Sequence, residues 1–127
     1  MLVTIDDIAL TNNEIFVKFS TTVGFAVAEW HGPCPKFGEQ YDVELDIDAE
    51  FVWGKNICVS LSTKSAIEAS EDCIHATGTL LRTSPDGHAI IDLAGSIVLI
   101  ELLGYASEAP VFVDLQFNKL TIYPTNL

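Results

Sequence analysis

"YDVELDIDAEF", residues 41–51, alternates without a miss. Tyr41, Val43, Leu45, Ile47, Ala49 and Phe51 are apolar, and Asp42, Glu44, Asp46, Asp48 and Glu50 stand between them. A period of two places one set on each face of a β-strand, whereas a helical period would scatter both sets around an axis. The stretch predicts a strand with one face in a core and a file of carboxylates on the other, successive groups about 7 Å apart.

Such a file is cheap to fold. Each neighbouring repulsion is about 0.6 kcal/mol in water, and salt more than halves it, so the row costs on the order of 1 kcal/mol. Burying the apolar face contributes roughly 10 kcal/mol before chain entropy is subtracted. The row is therefore compatible with a merely solvated face, or with an edge kept from pairing by its charge. It is also compatible with a docking surface for a basic partner. A Ca²⁺ or Mg²⁺ site fits less well, because a straight strand cannot curl its ligands around an ion.

Outward from this strand the same period recurs between turn signals. "EIFVKFS" follows Asn12-Asn13, "GFAVAEWH" spans 24–31, and "GPCPKFGE" at 32–39 reads as a loop because it holds two prolines and two glycines. "KNICVSL", 55–61, is a further strand. "STKSAIEASEDC", 62–73, reads as the one short helix, since Ser65 and Glu68 have capping-box spacing and β-branched residues are few. "IHATGTLLRT" and "HAIIDL" flank Ser84-Pro85-Asp86-Gly87, a type I turn sequence, and predict a hairpin. "SIVLIELL", 96–103, is apolar at nearly every position and predicts a strand covered on both faces, within the fold or at a subunit contact. "VFVDLQF" and "KLTIYP" around Asn118-Lys119 read as a last hairpin.

The expectation is one all-β domain over residues 1–127, a small barrel or sandwich of about eight strands with one helix near 62–73. A helix followed by a hairpin resembles the element order of an oligonucleotide/oligosaccharide-binding (OB) barrel. The likeness is one of order alone and carries no functional residue across.

Charge narrows the function. Eighteen Asp and Glu face six Lys and Arg, a net charge of −12. That field repels phosphate backbones and anionic lipid and favours a cationic partner. "MLVTIDD" has no basic segment ahead of an apolar run, and Asp92 and Glu101 interrupt the apolar stretch 89–106, so the reading is a cytoplasmic protein with no membrane span. Three cysteines without tight spacing fit reduced thiols.

Two chemical constellations compete with the acidic row. His31, Cys34, Cys73 and His75 are residue types zinc accepts, but their spacing matches no common zinc pattern, and two buried or half-buried thiols beside two ordinary surface histidines is the simpler reading. No nucleophile motif is present: Ser62, Ser65 and Ser70 fall in the expected helix, and His88 lies beside a turn. Trp30, Trp53, Phe25 and Tyr41 offer a stacking platform for a base or a sugar, or a core.

The sequence thus points to a non-enzymatic acidic binding protein without cofactor or metal, of the immunity or inhibitor type that caps a basic partner such as a toxin. Glu39, Asp42, Glu44, Asp46, Asp48 and Glu50 would carry the recognition. An OB-like barrel binding a small ligand, sugar or nucleic acid is the alternative, and a zinc-dependent protein using the His/Cys set is the second.

Overall fold

The computed structural model describes residues 1–104 and 108–125. The described residues form twelve strands and no helix: β1 (Leu2–Thr11), β2 (Glu14–Thr21), β3 (Gly24–Trp30), β4 (Gln40–Ile47), β5 (Glu50–Val52), β6 (Ile57–Val59), β7 (Ala66–Ser70), β8 (Cys73–Thr83), β9 (His88–Leu93), β10 (Ser96–Leu103), β11 (Val111–Phe117) and β12 (Leu120–Pro124). No helix among the described residues is long and apolar enough to cross a membrane.

Five strands close a barrel. β1 pairs antiparallel with β2 and with β4, β2 with β3, and β12 joins β4 antiparallel to β3 parallel. A bulge between Ile5 and Asp7 bends β1 so that its first half follows β4 and its second half follows β2. Counting barrel strands alone, the closed order is 1-2-3-5-4 with the third and fifth parallel, the Greek-key order of an OB barrel. The barrel is real, but it is not the one the helix suggested: the strands flanking the expected helix, at 55–61 and 74–83, lie outside it, and the additional strands are inserted between β4 and β12 rather than added at the ends.

Residues 48–119 leave the barrel between β4 and β12 and build a second, curled sheet in the order β5-β10-β9-β8-β11-β6. A bridge between Trp53 and Ile57 brings its two ends together. β7 pairs with β8 on one side and, parallel, with β3 on the other at Gly24–Ile67 and Phe25–Glu68, which stitches this sheet to the barrel. One apolar cluster runs through both, from Val3, Phe19 and Ile122 in the barrel to Phe51, Leu80 and Leu115 beyond it. Within the second sheet the Phe51 and Phe117 rings meet edge to face, 6.3 Å between centroids.

Several turns fold as their residues dictate. Asn12 and Asn13 both take positive φ, as do Ala94 and Gly95, giving the tight hairpins β1–β2 and β9–β10. Gly87 donates its N–H to the Ser84 carbonyl at 3.2 Å, closing the β8–β9 turn.

Three expectations are corrected. The helix at 62–73 is absent: 66–70 is β7, Glu71-Asp72 form a two-residue turn, and Cys73 opens β8. Ile67 is the one large apolar side chain in that segment, so a helix would have no stripe to bury. As a strand it buries Ile67 and sets Glu68 opposite His75. The last hairpin is also absent, because β11 pairs with β8 and β6 while β12 pairs with β4 and β3. Asn118 and Lys119 lack the positive φ of a tight hairpin turn and carry the chain from one sheet to the other. Finally, β10 is covered within the fold on one face only: Val98, Ile100 and Leu102 are buried, whereas Ile97 and Leu99 are 61% and 62% exposed and Leu103 is exposed too, which leaves that face to the subunit-contact alternative. Apolar residues on both faces had hidden an ordinary alternation. The strand count of about eight is low because β5 continues the alternation of β4 after a short break, β7 stood as the helix, and the β1 bulge interrupts its period.

The stitch at β3–β7 depends on Gly24. Its φ is +145°, and a Cβ there would fall 1.6 Å from the Ile67 carbonyl oxygen. Gly24→Ala should destabilise the protein by about 3 kcal/mol or more in urea unfolding, the size of a severe core defect. Gly38→Ala, at φ +81° with open space around it, should cost only the left-handed penalty of about 1 kcal/mol. Equal losses in the two variants would mean that the stitch contributes nothing.

Candidate docking face

β4 buries Val43, Leu45 and Ile47 and exposes Asp42, Glu44 and Asp46. The alternation of the sequence is the alternation of the fold. The strand is no free edge, however. Residues 40–42 pair with β1 and residues 43–47 with β12. Its carboxylates therefore stand on the outer face of the barrel wall, Asp42 beside β1 and Glu44 and Asp46 beside β12.

The file of five is not straight. Asp42, Glu44 and Asp46 keep strand spacing, but 48–49 lies between β4 and β5, where the chain passes from one sheet to the other. Asp48 and Glu50 are exposed beyond that bend, and Glu50 belongs to the second sheet, registered with Glu101 of β10. A rigid ladder of five charges imitating phosphate spacing is thus reduced to three. Glu39 is exposed at the other end, where its carbonyl accepts from Ile5 N–H at 3.0 Å and its own N–H donates to the Lys36 carbonyl at 3.1 Å.

Nor does the row lack local cations. The Met1 ammonium lies 3.1 Å from an Asp42 oxygen, and Lys119 Nζ lies 3.6 Å from an Asp48 oxygen. Both acids are well exposed, so each pair is worth at most about 1 kcal/mol. Both neutralisers were invisible in the local sequence because each comes from a distant part of the chain. No ion pair involves Glu44 or Asp46 among the described residues. They stand opposite Tyr123 and Thr121 of β12.

Aromatic side chains flank the acids. Tyr123, partly exposed opposite Glu44, packs edge to face on His31 with centroids 5.2 Å apart, and His31 in turn hydrogen-bonds Glu29. Phe37, in the loop just before Glu39, is 74% exposed. Neither was singled out in the sequence. Tyr123 becomes a neighbour of Glu44 only through the β4–β12 register, and Phe37 looked like any loop residue. Trp30 behaves otherwise: it is 2% exposed, its indole N–H donates to the Pro33 carbonyl at 2.7 Å, and its ring meets Tyr41 at 5.1 Å. It supports the 31–39 loop from the core and presents no stacking surface. Trp53 is half-buried at the join of β5 and β6, and Phe25 has Lys18 Nζ 5.8 Å from its ring centre.

The zinc candidates fall into two separate local pairs. Cys34 donates to the Pro35 carbonyl, and His31 is engaged with Glu29. Cys73 Sγ and His75 Nε2 approach to 3.8 Å on β8. No group of three or more His, Cys, Asp or Glu able to hold a metal ion forms among the described residues. Cys34 and Cys58 are exposed and only Cys73 is half-buried, so the thiols are more open than their type suggests.

At the β8–β9 turn, Ser84, Asp86 and His88 come together, yet the carboxylate is in the middle. Ser84 Oγ donates to Asp86 and His88 Nδ1 lies 3.2 Å from the same carboxylate. The Ser84 hydroxyl bonds the carboxylate and not the imidazole, and these contacts hold the Asp86 carboxyl below its usual range, the Ser84 bond first and His88 second. Ser62 lies in an irregular loop with its Oγ accepting from Lys64 N–H, Ser65 lies just before β7, and Ser70 ends β7.

Two measurements check these placements. A chelator should leave the melting temperature unchanged, and purified protein should carry no stoichiometric zinc; one equivalent lost on Cys73→Ser would reinstate the metal site. In an NMR pH titration, Asp86 should ionise below the ordinary carboxylate range, and Ser84→Ala should move it upward. An unmoved titration would show that the turn contacts are not formed in solution.

Compared with protein-family models, curated proteins and solved structures, the chain matches none of them.

Proposed function

We propose that this protein is an acidic, non-enzymatic binding domain that docks a basic protein on its β4 face, in the manner of an immunity-type inhibitor that caps a toxin. One observation carries the reading: Asp42, Glu44 and Asp46 project in line from a paired, rigid strand, with Tyr123 beside the central one and Phe37 near Glu39. Exposed acids alone would suit any solvated face. Acids flanked by partly exposed aromatic rings combine charge steering with apolar contact, the mixture found in protein interfaces. Asp48 and Glu50 extend the same field around the bend, weakened at Asp48 by Lys119.

A nucleic acid would meet repulsion at this face, and the burial of Trp30 removes the ring best placed to stack on a base or sugar in the barrel wall. The OB-like strand order therefore describes architecture and lends no support to an oligonucleotide ligand.

Glu44→Lys with Asp46→Lys is the direct test. Both side chains are exposed, so stability should change by no more than about 0.5 kcal/mol for each. Association with the partner captured by the wild type should slow about tenfold at low salt and the difference should shrink as salt rises, because exposed charges act over roughly 8 Å at physiological ionic strength. If wild type and variant retain the same proteins from the source cell in equal amounts, the face is merely solvated and the inhibitor reading is abandoned.

A further inference from the structure

A groove of about 700 Å³ opens where the barrel meets the second sheet. Its origin is a gap in strand pairing. β3 is paired with β2 along its whole length on one edge. On the other edge it meets β7 at Gly24–Phe25 and β12 at Glu29–Trp30, and residues 26–28 between them have no strand partner among the described residues. The two parallel strands β3 and β7 diverge from their short pairing, and the groove lies in the wedge between them.

Its lining has two characters. Phe16, Val27 and Ala69 form an apolar surface, with Val27 49% exposed although it is an aliphatic residue in mid-strand. Glu14, Glu71 and Asp72 are exposed around it, and Glu29 completes a rim of four carboxylates. Among the described lining residues the one cation is Lys119, its ammonium 3.6 Å from Asp48, and Lys18 stands opposite Val27 in the β2–β3 register. An unpaired strand edge, an aliphatic floor and an acidic rim together select an extended chain that offers backbone hydrogen bonds, apolar side chains and positive charge. The volume suits a few side chains and not a folded surface.

We infer that this groove binds an extended peptide segment in which basic and aliphatic side chains alternate, laid along the open edge of β3 at Val27. A strand presents successive side chains to opposite faces, so the aliphatic set covers Phe16 and Val27 while the basic set meets Glu71 and Asp72 on the rim. The site is separate from the β4 face, and its occupancy does not depend on the inhibitor reading.

The experiment is a titration of ¹⁵N-labelled protein with a short synthetic peptide alternating arginine and leucine. A glutamate–leucine peptide and spermidine serve as controls. The expected result is saturable shifts concentrated at the amides of Val27, Ala69 and Cys73, with none from the glutamate peptide. Glu71→Lys with Asp72→Lys should weaken binding at least about tenfold through two reversed rim charges. Val27→Ser should weaken it severalfold, while Glu44→Lys with Asp46→Lys should weaken it much less than the rim double variant does, because Thr121 of β12 stands between Asp46 and Glu29. Absence of saturable shifts in the wild type overturns the proposal whatever the variants do. So does spermidine producing the same shifts with indifference to Val27→Ser, which would reduce the groove to an acidic surface. Loss of binding in the β4 variant alone would place the peptide on the other face and also overturn it.

Discussion

Everything in this fold waits on β12. Five residues, Leu120 to Pro124, pair with β4 along Ile47 to Val43 and also reach β3 at Glu29 and Trp30, and without them the barrel has an open side. Ile122 sits at the centre of that closure, fully buried. The chain between the two halves of the seam, residues 48–119, is long, and closing such a loop costs about 4 kcal/mol in chain entropy beyond a constant. The cost falls if the intervening chain is already compact. β5 to β11 form their own paired sheet with both ends brought near the seam, so the loop that must close is in effect short. Non-local pairing of this kind still makes for slow folding.

The same closure shapes the surfaces. β12 and β7 share one edge of β3, and they cannot meet, because β12 is bound to β4 and β7 to β8. The interval at 26–28 is what remains between them. The bend in the acidic row has the same source: β4 must end at Ile47, opposite Leu120, for the chain to enter the second sheet through Asp48 and Ala49. A longer β4 would have given a straight ladder of charges and no second sheet.

What could be read from sequence follows from how local each cause is. The burial of Val43, Leu45 and Ile47 and the exposure of Asp42, Glu44 and Asp46 were legible because period-two alternation is a property of neighbours. The turns at Asn12-Asn13 and Ser84–Gly87 were legible for the same reason. The helix at 62–73 failed where a weak local preference met a strand slot between β3 and β8. The last hairpin failed because β11 and β12, adjacent in sequence, belong to different sheets. At the candidate face the acids were visible. Their company was not: Tyr123, Lys119 and Met1 reach them through register across most of the chain. The groove was hidden altogether, since it arises from a missing pair and not from any motif.

A net charge of −12 must be borne by a chain with few cations, and the register shows how. Like charges directly opposite each other on a sheet are destabilising, and mixed pairs are not. Asp7 faces Lys18, Glu68 faces His75, Asp114 faces Thr77, Asp46 faces Thr121 and Glu44 faces Tyr123. Among the described pairs only Glu50 and Glu101 set acid against acid, and Glu101 has His88 on its other side. Thr121 is the sharpest case. Buried between Asp46 on β4 and Glu29 on β3, it keeps two carboxylate-bearing strands one strand apart, where a third acid would add two like-charge pairs at half that distance. The neutral strip of β12 therefore lets acids accumulate on both of its flanks. On one side lies the β4 face and on the other Glu29 at the rim of the groove, so both candidate binding surfaces owe their charge to the closing strand being nearly free of it.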